Sequence, residues 1–196
     1  MADRRLSYLL APVAALSLSA CGINSIPTAE ETVKARWADV QNQYQRRADL
    51  IPNLVATVKG YAAQEKDVLI GVTEARAKAS SVTVTSDQLT DPKALENFGA
   101  AQGALSQSLG RLLVTVEKYP DLKSNQNFLA LQSQLEGTEN RISIARRDYN
   151  SAVQAYNTRI RTFPDIIGAK VIYGAKPMVP FTATAPNAAA PPTVSF

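Results

Sequence analysis

Histidine is absent from the 196 residues, and cysteine occurs once, at Cys21. A single thiol cannot close a disulfide within the chain, and zinc, haem and iron–sulfur groups lose their usual ligands. Without an imidazole neither a Ser–His–Asp nor a Cys–His mechanism can be assembled. No cofactor or metal is therefore expected. Strong charge is also lacking: 21 Lys and Arg face 17 Asp and Glu, a net +4, of which +1 falls in residues 1–20. So small a surplus does not suggest nucleic acid as a partner. The chain has no Gly-rich phosphate loop, GxSxG elbow or SxxK motif. Glu136 and Glu139 are the sort of carboxylate pair that general acid–base work would use. They stand three apart in a helical pattern, a spacing that solvated helix faces produce constantly, so the chain reads as non-enzymatic.

Long apolar runs are missing too. The longest, Leu6 to Ala20, follows Arg4 and Arg5. At about 15 residues it is short for a ~30 Å hydrocarbon core but suits the apolar region of an export signal. It closes on Leu18-Ser19-Ala20-Cys21-Gly22, which resembles the lipobox of bacterial lipoproteins. There the cysteine thiol receives a diacylglyceryl group and becomes the new N-terminus. Ordinary signal cleavage wants a small residue where Leu18 stands. Cys21 is thus the expected lipidation site, and two or three acyl chains, palmitate among them, would make anchoring effectively permanent. Gly22 resembles the residue found in lipoproteins sent to the periplasmic face of an outer membrane, where the organism has one.

What is present is helical periodicity. Val33, Trp37, Val40, Tyr44, Arg47, Ile51, Leu54, Val58, Tyr61, Glu65, Val68, Val72, Ala75 and Ala79 follow alternating steps of four and three. The average spacing of ~3.5 marks helices packed side by side in a bundle. Leu95 to Tyr119 and Phe128 to Tyr156 keep the same rhythm. Boundaries are signalled by a Thr28/Glu31 capping-box pattern, a Ser/Thr/Val-rich loop at 80–87, Asp91-Pro92 as cap and first helical residue, and Tyr119-Pro120. Pro52 would remove the hydrogen bond to Ala48 in a helix interior. Residues 28–79 are therefore either one kinked helix or two, and a break at 49–52 with Asp49 as cap is favoured. The expected fold is all-α: an antiparallel up-and-down bundle of four main helical segments, with a break or kink near Pro52, plus a short C-terminal helix after Thr162-Phe163-Pro164. The expected division is a signal at 1–20, a tether at 21–27, the bundle at 28–173 and a flexible Pro/Ala/Thr-rich tail at 174–196.

Four strings stand out: Tyr44-Gln-Arg-Arg-Ala-Asp-Leu-Ile-Pro-Asn-Leu-Val-Ala-Thr-Val-Lys-Gly-Tyr61; Tyr119-Pro-Asp-Leu-Lys-Ser-Asn-Gln-Asn-Phe128; Glu136-Gly-Thr-Glu-Asn-Arg-Ile-Ser-Ile-Ala-Arg-Arg-Asp-Tyr-Asn150; and Ala155-Tyr-Asn-Thr-Arg-Ile-Arg-Thr-Phe-Pro164. They resemble the LemA family in order and over about residues 30–173. The resemblance implies a bacterial envelope protein built as a helical bundle, and it brings no catalytic residues. Many members carry an uncleaved membrane-spanning helix where this chain has its lipobox-like signal. The expected partners are a membrane, through the lipid, and another envelope protein. Arg46, Arg47, Arg159 and Arg161 are the candidate surface for lipid, cell-wall polymer or that protein, although a solvated face accounts for such charges as well. Asn125 suits a helix cap. Asn140, Asn150 and Asn157 are expected to hydrogen-bond between helices. Gly99 and Gly103 permit close helix approach.

Overall fold

The first helix, α1, spans Ser25–Tyr61 in the computed structural model, which describes residues 24–182. The expected signal, Cys21 and residues 183–196 lie outside the described residues. At 1.5 Å per residue the 37 residues of α1 extend roughly 55 Å. Val33, Trp37, Val40, Ile51, Leu54 and Val58 line its buried face, as the periodicity predicts.

The helix begins three residues earlier than the Thr28 pattern implies, and the capping box does not form. Thr28 donates its hydroxyl to the carbonyl of Asn24 at 2.8 Å, and Glu31 is engaged by Lys34. Ile26 supplies the reason. It is fully buried, and burying an isoleucine is worth ~1.5–3 kcal/mol, more than the ~1 kcal/mol a cap contributes.

The break expected at 49–52 is absent, and α1 runs through Pro52. Proline withholds the amide that the Ala48 carbonyl would have accepted. A side chain from the next helix replaces it: Arg76 Nε donates to Ala48 O at 2.8 Å. Pro52 itself faces solvent, so its ring displaces nothing in the core. Asp49 caps no helix and accepts from Gln45 Nε2 at 2.7 Å. The chain turns instead at Ala62–Glu65, where Glu65 N donates to Ala62 O at 3.1 Å. Tyr61 and Glu65, which carry the apolar rhythm across this turn in the sequence, leave the core there, and Ala62 and Leu69 are buried in their place.

Past the turn, α2 (Lys66–Ser81) runs back along the upper half of α1. A short loop and a 3-10 turn (Ser86–Thr90) lead to α3 (Pro92–Val116), which returns upward. As expected, Asp91 accepts from Lys93 N at 2.9 Å and Pro92 opens the helix. A four-residue α4 (Pro120–Lys123) crosses the top. Asn125 then caps α5 (Gln126–Arg159) by accepting from Phe128 N, and its amide donates to Tyr61 at the end of α1. α5 descends the whole length of α1 to α6 (Asp165–Val171), where Ser25 Oγ donates to Asp165 at 2.8 Å. The four main segments α1, α2, α3 and α5 thus alternate in direction, and no strand occurs among the described residues.

Because α2 and α3 flank mainly the upper half, the lower half needs another cover. The C-terminal segment provides it. Residues from Gly174 were expected to be a loose tail, yet Met178 and Phe181 are buried and Ala175 and Val179 pack beside them. Asn157 both donates to Met178 O and accepts from Met178 N, at 2.7 and 2.8 Å. Asn150 does the same with Phe181, at 2.9 and 2.7 Å. Seven residues of helix rise roughly 10.5 Å, and three residues of extended chain cover about 10 Å. The two asparagines therefore match an extended strap laid antiparallel to α5. They were expected to bond between helices; their partners are strap backbone groups, which no helix or sheet would otherwise satisfy. Tyr149 adds a bond to Val179 O at 2.8 Å, and Val179 N donates to Leu89 O at 2.9 Å.

Candidate functional site

Two places in the fold gather polar or exposed groups that simple packing does not require. The first is a layer across the middle of the bundle. Arg47 lies on the apolar face of α1 with 2% of its surface exposed. Its Nη1 donates to Ser106 Oγ at 2.8 Å and to both Glu139 oxygens at 3.1 Å. Its Nη2 donates to the Gln102 side chain at 2.8 Å and to Gln102 O at 3.2 Å. Gln102 in turn donates to Ala79 O at 3.1 Å. The guanidinium carbon sits over the Tyr44 ring, 5.0 Å from its centroid, and Nε is the one guanidinium nitrogen with no hydrogen-bond partner. Burial pushes the Tyr44 phenol above its ordinary range, which keeps the ring neutral.

This layer separates two apolar cores. Below it Trp37, Tyr44, Phe98, Tyr149 and Phe181 pack ring against ring, with Trp37 5.3 Å from Phe98 and 5.2 Å from Tyr149. Above it lie Ile51, Leu54, Leu105, Leu112 and Phe128. Together Arg47, Gln102 and Glu139, with Ala79 O, tie all four main helices at one level. Glu139 keeps 53% of its side chain exposed, so solvent screens the ion pair and weakens it. A cleft of about 220 Å³ opens beside it, lined by Leu109, Leu113, Leu135 and Glu136. Glu136 and Glu139 do not face one another as an acid–base pair would: Glu139 receives Arg47, and Glu136 receives Gln132.

The second place is the lower end, where the described chain begins. Arg159 Nη1 donates to Ser25 O at 3.1 Å and its Nε lies 3.4 Å from Asp165, while Ser25 Oγ reaches the same carboxylate. The entry of α1, the exit of α5 and α6 are thereby fastened together. Gly168 and Ala169 turn inward, so Ile167 and Val171, four apart on α6, are left outward. Phe163 and Ile172 flank them; Phe163 is 81% and Val171 79% exposed.

The four arginines expected to share a surface do not. Arg46 is exposed and Arg47 buried, roughly 30 Å up α1 from Ser25 by helical rise. Arg159 and Arg161 are at the lower end. Arg47 is a structural cation because its position on the seam points it inward. Gln102 was visible as a seam residue, but its bond to Arg47 was not. Arg76 and the exposed apolar group around α6 went unread, since neither breaks a sequence pattern. Among the described residues no cluster of candidate metal ligands occurs, and no helix is long and apolar enough to cross a membrane.

Comparison with known proteins follows the same lines. A family model described as the LemA family matches residues 36–196. The chain is similar to the magnetosome proteins MamQ 1 and MamQ 2 of Paramagnetospirillum magneticum, each 28% identical over 172 residues, covering 80% of this chain and 63% of the relative. It is also similar to Protein LemA of Metamycoplasma hominis, 26% identical over 124 residues, 63% of this chain and 52% of that one. The chain thus spans less than two thirds of the length of these curated relatives.

Proposed function

This chain belongs to the LemA family, and on that premise we propose that it is a non-catalytic scaffold of the cell envelope, tethered to a membrane by lipid on Cys21. The observation that carries this reading is the position of Ser25, the first residue of α1. Four residues after Cys21, Ser25 is fixed at one end of a bundle roughly 55 Å long, so a lipid there would stand the bundle away from the bilayer on its end. The long sides of the bundle are then free for another envelope protein, and the polar layer at mid-height keeps the helices in register to present them. Gly22 after the cysteine supports delivery to the periplasmic face of an outer membrane where the organism has one. A basic binding face formed by all four arginines is not proposed, because Arg47 is buried and Arg46 lies far from Arg159 and Arg161.

Growth of cells with an alkyne-tagged palmitate tests the anchor. The full chain is expected to take up the tag, and Cys21→Ser to take up none and to leave the membrane fraction while remaining folded. Absence of the tag from the full chain, or its uptake by Cys21→Ser, overturns the lipid tether. Photo-crosslinking residues placed along exposed α5 positions such as Arg141 are expected to capture one recurrent envelope protein. Capture of none, at native abundance, overturns the scaffold.

A further inference from the structure

We propose that the lower end of the bundle is a bilayer-contacting surface, in which Phe163, Ile167, Val171 and Ile172 enter the headgroup boundary of an anionic membrane. This rests on the tether reading above and adds to it a second, non-covalent attachment. Four large apolar side chains within ten residues of chain stand exposed at this end of the fold, and apolar groups concentrated in this way point to a contact site. Their surroundings suit lipid headgroups. Between residues 159 and 176 the cations are Arg159, Arg161, Lys170 and Lys176, and Asp165 is the sole acid. Asp165 is already engaged by Arg159 and Ser25, and the nearest acids on α1, Glu30 and Glu31, share Lys34, so the stretch itself presents no unpaired carboxylate to an anionic surface.

Chain length keeps this end close to the bilayer once Cys21 is lipidated. From Cys21 to Ser25 the chain can reach no more than about 14 Å, and Ser25 is hydrogen-bonded to α6 itself. A bilayer holding that lipid lies within reach of Phe163 and Val171. An outward helix face with large apolar residues and flanking Lys and Arg is the pattern of interfacial segments, which sink ~5–10 Å into the boundary. A second copy of the chain is the rival occupant, and with Arg159 paired to Asp165 the three remaining cations, Arg161, Lys170 and Lys176, disfavour a face-to-face dimer.

The uniqueness of Cys21 allows a test that does not depend on natural lipidation. The chain from Cys21 onward, the form the lipid tether implies, is coupled through Cys21 to a maleimide phospholipid in vesicles of phosphatidylethanolamine and phosphatidylglycerol. Phe163→Trp adds an indole to the patch, while Trp37, buried in the core, provides the baseline. With acyl-brominated lipids the added emission of Phe163→Trp is expected to be mostly quenched. Val114→Trp, near the upper end of α3 and 70% exposed, is expected to keep its emission. Adding Ile167→Asp and Val171→Asp to Phe163→Trp should restore the emission, with circular dichroism unchanged. Quenching that persists in that triple variant, or an unquenched Phe163→Trp that iodide still reaches, overturns the surface. Cross-linking of tethered chains to one another through the patch overturns it in favour of self-association. The tether reading fails separately, by absence of the palmitate tag from the natural protein.

Discussion

Pro52 and Arg76 form a pair that neither residue announces alone. The Ala48 carbonyl has lost its amide partner to Pro52 and recovers one from Arg76. Removing that donor leaves a carbonyl unsatisfied beside the core, at a cost of ~1–3 kcal/mol. Arg76→Met is therefore expected to destabilise the parent by about that amount. In a Pro52→Ala background the helix regains its own amide, and Arg76→Met should cost clearly less. The coupling from this double-mutant cycle should reach ~0.5–3 kcal/mol; additivity in urea melts would mean that Arg76 does not serve the proline. At Glu139 the expectation is smaller. The side chain is half exposed, so Glu139→Gln should lower stability by about 1 kcal/mol, read as a shift of roughly 2–4 °C in Tm. Arg47→Ala should cost more, since it also removes the donor from which the Gln102 side chain and Ser106 accept. The sequence shows Arg47 plainly as an interruption of an apolar row. It could not show that the guanidinium stays inside, because that depends on acceptors from two other helices, α3 and α5, converging at one level.

Elements were legible where their periodicity repeats and illegible where a single local contact decides them. The rhythm of α1, α3 and α5 and the cap at Asp91 are all visible in the residues. The turn at Ala62–Glu65 is not, because Tyr61 and Glu65 fall on the alternating steps and disguise it. The C-terminal strap is the larger omission. Its Pro, Ala and Thr content offers few large side chains to bury, Val179 and Phe181 being the ones near enough to dock, yet two asparagines seven apart on α5 also hold it by both backbone groups of two residues. Replacing both, Asn150→Ala with Asn157→Ala, is expected to expose the Met178 and Phe181 amides to rapid hydrogen exchange while the α5 amides stay protected. Phe181→Ala should cost ~3–5 kcal/mol, as for other buried aromatic truncations. The strap should also respond to alkali. Burial pushes the Tyr149 phenol well above its ordinary range, and its hydroxyl donates to Val179 O. The folded state thus holds this proton more tightly than the unfolded state, whose phenol titrates near ~10. Its contribution to stability is complete below about pH 10 and is lost as the pH rises through the higher folded value. Urea midpoints measured between neutral pH and mild alkali should fall above about pH 10, and the fall should be shallower in Tyr149→Phe.

At the scale of the whole molecule, two cores share one long pair of helices, α1 and α5, and differ in what completes them. The upper core is closed by α2 and α3, and its last buried member is Phe128. The lower core joins Ile26 to Phe181, residues from nearly opposite ends of the described chain. Contacts so distant in sequence pay the largest loop-closure entropy, although that cost grows only slowly with length. Chemical melts followed by backbone amides should accordingly show the lower half opening first, and coincident loss of both halves would mean that the polar layer couples them into one unit. The strap carries a consequence for the order of biosynthesis. A polypeptide is made and delivered from its N-terminus, so the indole of Trp37 is among the first large side chains to arrive and among the last to be sealed. Until Met178 and Phe181 emerge, each nascent copy has a finished upper half and an open lower one. Any copy cut short before Met178 remains in that state, and it is the form a quality-control protease would meet.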